Sequence, residues 1–135
     1  MKYVLCLIAI LFSSSVWPGI AVIVHPSNAS SLDKAEISRI FLGKMKSFPS
    51  GGTAIPVNIE EGAASRAEFE KAVLNKTASQ IKAYWSKLVF TGKGTPPKEL
   101  PSDAEIIALI KSNPNLIGYV SDSAVTGDVK VVANF

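Results

Sequence analysis

Apolar and polar positions along the chain alternate between the spacing of strands and the spacing of helices. The run AVIVHP, residues 21–26, predicts a buried strand. TAIPVNI, residues 53–59, predicts a second strand with Ile55, Val57 and Ile59 on one side, and Pro56 favours an edge or a strand start. LIGYV and VKVVA, residues 116–120 and 129–133, predict two closing strands. We therefore expect four strands.

Four segments with helical spacing lie between these strands. Residues 31–44 predict a helix with Ser31 or Asp33 as N-cap and Gly43 as C-cap. Ser65 is expected to cap the second helix. Capping boxes predict the starts of the third and fourth helices, and their residues are Thr77 with Gln80 and Ser102 with Glu105.

The apolar faces of the last three helices follow from the same spacing. We expect the following side chains to point inward: Phe69, Ala72, Val73, Ile81, Tyr84, Trp85, Leu88, Val89, Ile106, Ile107 and Ile110. The Gly- and Pro-rich stretch TGKGTPPKELP, residues 91–101, predicts a loop, and residues 121–128 predict a helical turn. Interleaved strands and helices predict an α/β fold with a largely parallel central sheet and helices on both faces.

The first 21 residues have the composition of an export signal. Lys2 precedes the apolar run VLCLIAILF, and Gly19 and Ala21 occupy the small positions of a cleavage site, so we expect a signal peptide over residues 1–21 and one domain over residues 22–135. The alternative is an uncleaved anchor that continues to Val24. Export places the protein in the periplasm or outside the cell, with no stable membrane span after cleavage.

Charge and cysteine content exclude several classes of protein. Without Lys2, 13 basic residues stand against 11 acidic ones, which is too even and too dispersed a balance for nucleic-acid binding. Cys6, the only cysteine, lies in the signal segment. The mature chain would therefore form no disulfide and have no thiolate nucleophile or cysteine metal site.

The residues give little support for catalysis or metal binding. His25 is the only histidine, and no nucleophile motif accompanies it. Glu60 and Glu61 are adjacent, and adjacent residues on an extended segment point to opposite sides, so we interpret them as solvated. We expect no enzyme activity, no metal and no cofactor.

Two loops have the composition of anion sites. In the first, Gly62 and Ala64 leave space at a helix start, where Ser65 offers a hydroxyl and Arg66 a guanidinium. In the second, Gly92, Lys93 and Gly94 form a nest of backbone N–H groups beside a cation. Both loops are also common as purely structural connections, and Glu60 and Glu61 oppose an anion at the first.

The order of several motifs resembles a known family. EISRIFLGK, IPVN, EGAASRAEF, YWSKLVFTGKGTPP and NPNLIGYVSDSAV follow one another between residues 22 and 132. This order resembles the phosphate-binding proteins of ABC transporters, in the type 2 periplasmic-binding-protein-like superfamily. The resemblance implies one lobe of such a protein, and the chain provides no second lobe.

The resemblance implies a ligand, phosphate or a similar oxyanion, at residues 62–66. The family's Gly-Ser-Gly-Thr loop is only partly kept, because the second glycine and the threonine are missing and Glu60 and Glu61 replace an expected arginine. The residues implied are Gly62, Ala64, Ser65 and Arg66, with Gly92 to Gly94 closing the site. A homodimer or an envelope protein would provide the opposite face.

Two functions from different classes follow. The first is an exported solute-binding-like protein for phosphate or a related oxyanion, connected with ABC-type phosphate uptake. The second is a periplasmic interaction module that keeps the lobe as a scaffold without the ligand. In the first, Arg66 is expected to have no structural role, so that Arg66→Ala weakens an anion ligand and leaves folding intact. An exported hydrolase ranks below both.

Overall fold

The computed structural model describes residues 19–135. Most of the predicted signal peptide lies outside the described residues. Within them, five strands form one sheet: β1 (Ile20–Val24), β2 (Ile55–Ile59), β3 (Lys98–Leu100), β4 (Leu116–Ser121) and β5 (Lys130–Asn134). Their order across the sheet is β3-β2-β4-β1-β5.

Four of the five strands run in the same direction, and β1 runs against them. The pairs β2–β3 and β2–β4 are parallel, whereas β1 is antiparallel to both β4 and β5. The mostly parallel α/β sheet predicted from the sequence is therefore confirmed. The sheet has one strand more than predicted. Residues Lys98–Leu100, which we expected in a loop, pair with Val57–Ile59 at the edge of the sheet.

The helices are α1 (Lys34–Phe41), α2 (Ala64–Phe69), α3 (Ala78–Phe90) and α4 (Asp103–Ser112). α2 continues directly as a π-helical turn over Glu70–Leu74, and a 3-10 turn covers Asp122–Ala124. Asp33 caps α1 and Thr77 caps α3, each in a capping box. At the start of α4 the Ser102 hydroxyl accepts a bond from Glu105 N–H, but the reciprocal bond of the predicted capping box is not formed.

Helices cover the sheet on both faces, which β4 shows directly. Gly118 faces Ile106 and Ile110 of α4. The next residue, Tyr119, points to the other face, where its ring stacks on Phe69 at 3.8 Å between centroids. Every residue of β1 is buried as well. The expectation of helices on both faces is thus correct, and it explains the continuous apolar runs of these strands.

Some side chains near the ends of strands and helices are more exposed than predicted. Ile55, at the start of β2, is 42% exposed, because β3 covers only the later half of that strand. Val89 at the end of α3 is 52% exposed. The first strand begins at Ile20 rather than at Ala21, so the predicted cleavage after Ala21 falls inside β1.

Candidate functional site

The first predicted anion loop leads from β2 into α2. Ala63 is the N-cap residue of α2, and its carbonyl accepts bonds from the N–H groups of Arg66 and Ala67 at 3.1 and 3.3 Å. Within residues 19–135, the N–H groups of Gly62, Ala64 and Ser65 have no acceptor. These three N–H groups are donors that the described part of the fold leaves without a partner.

Ser65 does not cap this helix, contrary to the prediction. It is the second residue of α2 and is 8% exposed. The prediction was wrong because the N-cap position lies two residues earlier. The capping position is occupied by Ala63, which has no side-chain acceptor.

The Arg66 guanidinium lies inside the protein among carboxylates. Its Nη1 donates to Glu99 Oε1 at 2.6 Å and to the Ile59 carbonyl at 3.1 Å. Its Nε lies 3.7 Å from Glu70 Oε1, and its Nη2 lies 4.0 Å from Glu61 Oε1. Three carboxylates therefore surround one positive charge, and Arg66 is not the free charge on a helix surface that we expected.

The pKa shifts in this cluster follow from burial and from Arg66. Burial acts to lower the pKa of Arg66, but the hydrogen bond and charge of Glu99 outweigh it and the pKa is raised. Burial also raises the pKa of Glu70, and the attraction of Arg66 offsets this only partly. The 3.7 Å separation between Nε and the Glu70 carboxylate explains the difference, because it is too long for a hydrogen bond.

The second predicted anion loop is the C-terminal cap of α3. Gly92 has a left-handed φ of 67°, and its N–H bonds to the Val89 carbonyl at 3.1 Å. Lys93 N–H bonds to the Leu88 carbonyl at 2.8 Å. This is a Schellman motif, and it uses two of the N–H groups that the nest hypothesis left for an anion.

The two loops line different grooves. Gly62, Ala64 and Arg66 line the first groove, of about 870 Å³, between α2 and α3. Lys93 and Gly94 line the second, of about 670 Å³, between α3 and the end of α1. Trp85 and Pro96 line both, so the grooves are neighbours. The structure does not bring the two parts of the predicted site into one groove.

The two grooves have opposite charge. The first is lined by Glu61, Glu70 and Glu99 together with Arg66 and Lys82. The second is lined by four lysines and no carboxylate. An anion therefore meets net negative charge at the loop where it was predicted, and positive charge on the other side of Trp85.

Glu70 and Glu99 were not predicted as partners of Arg66. Glu70 lies four residues after Arg66 on one helix, a spacing that could have been recognised. Glu99 is 33 residues away along the chain and reaches Arg66 only because β3 pairs with β2. No local sequence pattern predicts the contact between Arg66 and Glu99.

His25 takes part in a local turn. Its Nδ1 lies 2.7 Å from the Ser27 hydroxyl and accepts a bond from Ser27 N–H. In the part of the chain that the structure describes, no group of three or more His, Cys, Asp or Glu side chains could hold a metal ion. Among residues 19–135, no helix has the length and apolar character needed to cross a membrane.

Solved structures show the same fold. A putative phosphate ABC transporter substrate-binding protein with bound phosphate from Clostridium perfringens is 26% identical, with a TM-score of 0.69 over 85% of this chain. An ABC-type phosphate transport receptor from Vibrio cholerae is 17% identical, with a TM-score of 0.68 over the same share. PstS from Borrelia burgdorferi is 15% identical, with a TM-score of 0.58 over 78% of this chain. The resemblance stated from the sequence is confirmed at the level of fold.

The chain spans less than half the length of these proteins, between 41% and 45%. This agrees with the single lobe predicted from the sequence. No known family profile matches the chain, and no curated protein matches it.

Proposed function

We propose that this protein is an exported solute-binding-type lobe for phosphate or a related small oxyanion, connected with ABC-type phosphate uptake. The observation that carries the proposal is the likeness over 85% of the chain, at 26% identity, to a substrate-binding protein that holds phosphate. The export signal expected in residues 1–21 supports the same role. The proposal involves no catalytic step.

The geometry of the loop sets a condition on this function. Arg66 is compensated by three carboxylates, so the loop offers an anion the backbone N–H groups of Gly62, Ala64 and Ser65 rather than a free guanidinium. Small-molecule sites bury most of their ligand, and one lobe leaves half of it in water. We therefore propose that the isolated chain binds phosphate weakly and that a second lobe, from another copy or an envelope partner, completes the site.

Titration followed by NMR tests this proposal. Inorganic phosphate up to tens of millimolar is added to the isotopically labelled full-length chain, with chloride as the ionic-strength control. We expect saturable shifts of the Ala64 and Ser65 amide signals with a millimolar Kd. Absence of saturable shifts in residues 62–66 would remove the proposal for this loop.

A charge variant makes the test sharper. Glu99→Gln keeps the size of a half-exposed side chain and removes the carboxylate closest to Arg66. We expect it to tighten phosphate binding at least threefold, because part of the guanidinium charge becomes available to the anion. Glu105→Gln, on an exposed position of α4, is the matched control and should leave the Kd unchanged.

The second candidate is an interaction module without an oxyanion ligand. The Arg66 cluster favours it, since the only guanidinium at the loop is engaged within the protein. This candidate predicts no phosphate-dependent shift at residues 62–66 even in the Glu99→Gln variant. The same titration therefore separates the two functions.

A further inference from the structure

The second groove carries an excess of unpaired positive charge. Lys44, Lys46, Lys93 and Lys98 line it, and all four are exposed. Within residues 19–135 none of them has a carboxylate oxygen within 4 Å. We propose that this lysine groove binds a small organic anion, a phosphate or carboxylate group attached to an apolar body. The site is separate from the loop of the proposed function.

Two hydrogen-bonded helix caps position the backbones of Lys44 and Lys93. Gly43 follows α1 with a φ of 73°, and Lys44 N–H bonds to the Arg39 carbonyl at 2.8 Å. The same Schellman geometry ends α3 at Gly92 and Lys93. Lys44 and Lys93 are therefore each the second residue after a helix cap, and backbone hydrogen bonds define both positions.

An apolar floor lies between these loops. The Trp85 ring packs between Gly43 and Gly94, whose added Cβ atoms would lie 3.3 and 3.5 Å from it. Tyr84 joins α3 to the end of α1 through a 2.6 Å bond from its hydroxyl to the Leu42 carbonyl. Ile55 adds exposed apolar surface to the same groove. The floor is thus preformed and partly open to solvent.

The edge strand β3 separates the two charges. Successive residues of a strand point to opposite sides, and here Lys98 lines the lysine groove whereas Glu99 contacts Arg66 in the first groove. Capping of the helix C-termini accounts for lysines 44 and 93, because cations are favourable there. It does not account for Lys46 or Lys98, which lie in a loop and on the strand.

The chemistry of the walls selects the class of ligand. A volume of about 670 Å³ lies within the range of about 300–1,000 Å³ that is usual for small-molecule sites. Four ammonium groups attract an anion, and an inorganic ion would leave the apolar floor in water. An anion with an aromatic or aliphatic body uses both surfaces.

Phenyl phosphate, inorganic phosphate and phenol are the probes for this groove. Each is titrated into the labelled full-length chain, and amide shifts and the Kd are measured. We expect phenyl phosphate to bind at least tenfold more tightly than either of the others, with shifts at residues 44–46 and 93–98. Higher salt should weaken its binding.

Lysine variants decide whether the charges are responsible. Lys44→Gln with Lys93→Gln should weaken phenyl phosphate binding at least tenfold, and Lys46→Gln with Lys98→Gln gives an independent second pair. Lys34→Gln with Lys71→Gln removes the same charge from exposed positions outside both grooves and should leave the Kd within twofold. Equal losses in the groove and control pairs would overturn the proposal.

The outcome is independent of the proposed function. Phenyl phosphate shifts confined to residues 62–66, or affinity no higher than that of inorganic phosphate, would overturn the lysine groove and leave the loop proposal standing. Shifts in residues 93–98 without any at residues 62–66 would support the groove alone.

Discussion

Arg66 connects three elements of the fold at a single guanidinium. It projects from α2, donates to the last residue of β2, and bonds to Glu99 on β3. Its side chain is 10% exposed, and that of Glu70 is 7% exposed. A buried carboxylate needs a partner, so the role of Arg66 in this chain is to compensate Glu70 and to attach the edge strand.

Replacing Arg66 by alanine tests this structural role. We expect Arg66→Ala to lower the free energy of unfolding by about 3–5 kcal/mol, because Glu70 is left buried without its countercharge. Urea unfolding measures the change. Arg39→Ala, at an exposed position of α1, is the control, and its free energy of unfolding should stay within about 0.5 kcal/mol of that of the unchanged chain.

A double variant separates charge from packing. If the unpaired Glu70 is the cause, Arg66→Met combined with Glu70→Leu should be more stable than Arg66→Met alone. A double variant as unstable as the single one would assign the loss to packing around the guanidinium stem.

The raised pKa of Glu70 predicts a specific pH dependence. Burial favours the protonated carboxyl, so the native state binds more protons than the unfolded chain between the ordinary Glu pKa and the raised one. The contribution of Glu70 to stability is therefore fully present below the ordinary pKa and decreases as pH rises through this window. We expect the stability of the native chain relative to Glu70→Gln to increase as pH falls from 7 to 4. Urea titrations at several pH values would refute this if the difference shrank on acidification.

At the scale of elements, local patterns place the helices and miss the edge strand. N-cap residues and helical spacing identify α1, α3 and α4 because each signal lies within a few neighbouring residues. β3 has three residues next to two prolines, and it forms only because β2 offers an unpaired edge. Its position then decides where Glu99 and Lys98 point.

Gly118 shows why the IGYV motif has its sequence. A Cβ at this position would lie 2.8 Å from Ile110 Cδ1 and 3.0 Å from both Ile106 Cγ2 and Val57 Cγ2. We therefore expect Gly118→Ala to destabilise the fold by about 1–3 kcal/mol through overpacking of α4 on the sheet. Gly127→Ala, with nothing within 4 Å of its added Cβ, is the control.

A compensating change extends the Gly118 test. Ile110→Val removes the methyl group that approaches most closely, so it should restore part of the stability of Gly118→Ala in thermal unfolding. If the stability losses of Gly118→Ala and Ile110→Val simply add in the double variant, the steric explanation is contradicted.

At the scale of the whole molecule, β1 holds the sheet together. It lies between β4 and β5 and is the only strand of the described sheet that runs against the others. Ile20 is 1% exposed, and its N–H and carbonyl both bond to Phe135 at 2.9 Å. The first described strand, β1, therefore joins the C-terminal strand β5 to the rest of the sheet.

Two chain starts test the contribution of the first strand residues. A chain beginning at Val22, the predicted mature start, lacks Ile20 and Ala21. We expect its free energy of unfolding to be about 3 kcal/mol lower than that of a chain beginning at Gly19, because the burial of Ile20 and its two backbone hydrogen bonds are lost. Equal urea midpoints for the two chains would show that β1 tolerates the shorter start.

Local residue patterns are sufficient to predict the fold class, the four helices, four of the five strands and the family-like order of motifs. Each of these depends on residue spacing within a short segment, which is where apolar periodicity and capping act. The tertiary structure alone decided the environment of Arg66, the separation of the two loops into two grooves and the gathering of four lysines in one of them. These depend on contacts between residues far apart in the chain, such as Arg66 with Glu99, and a charge acts according to the neighbours that folding gives it.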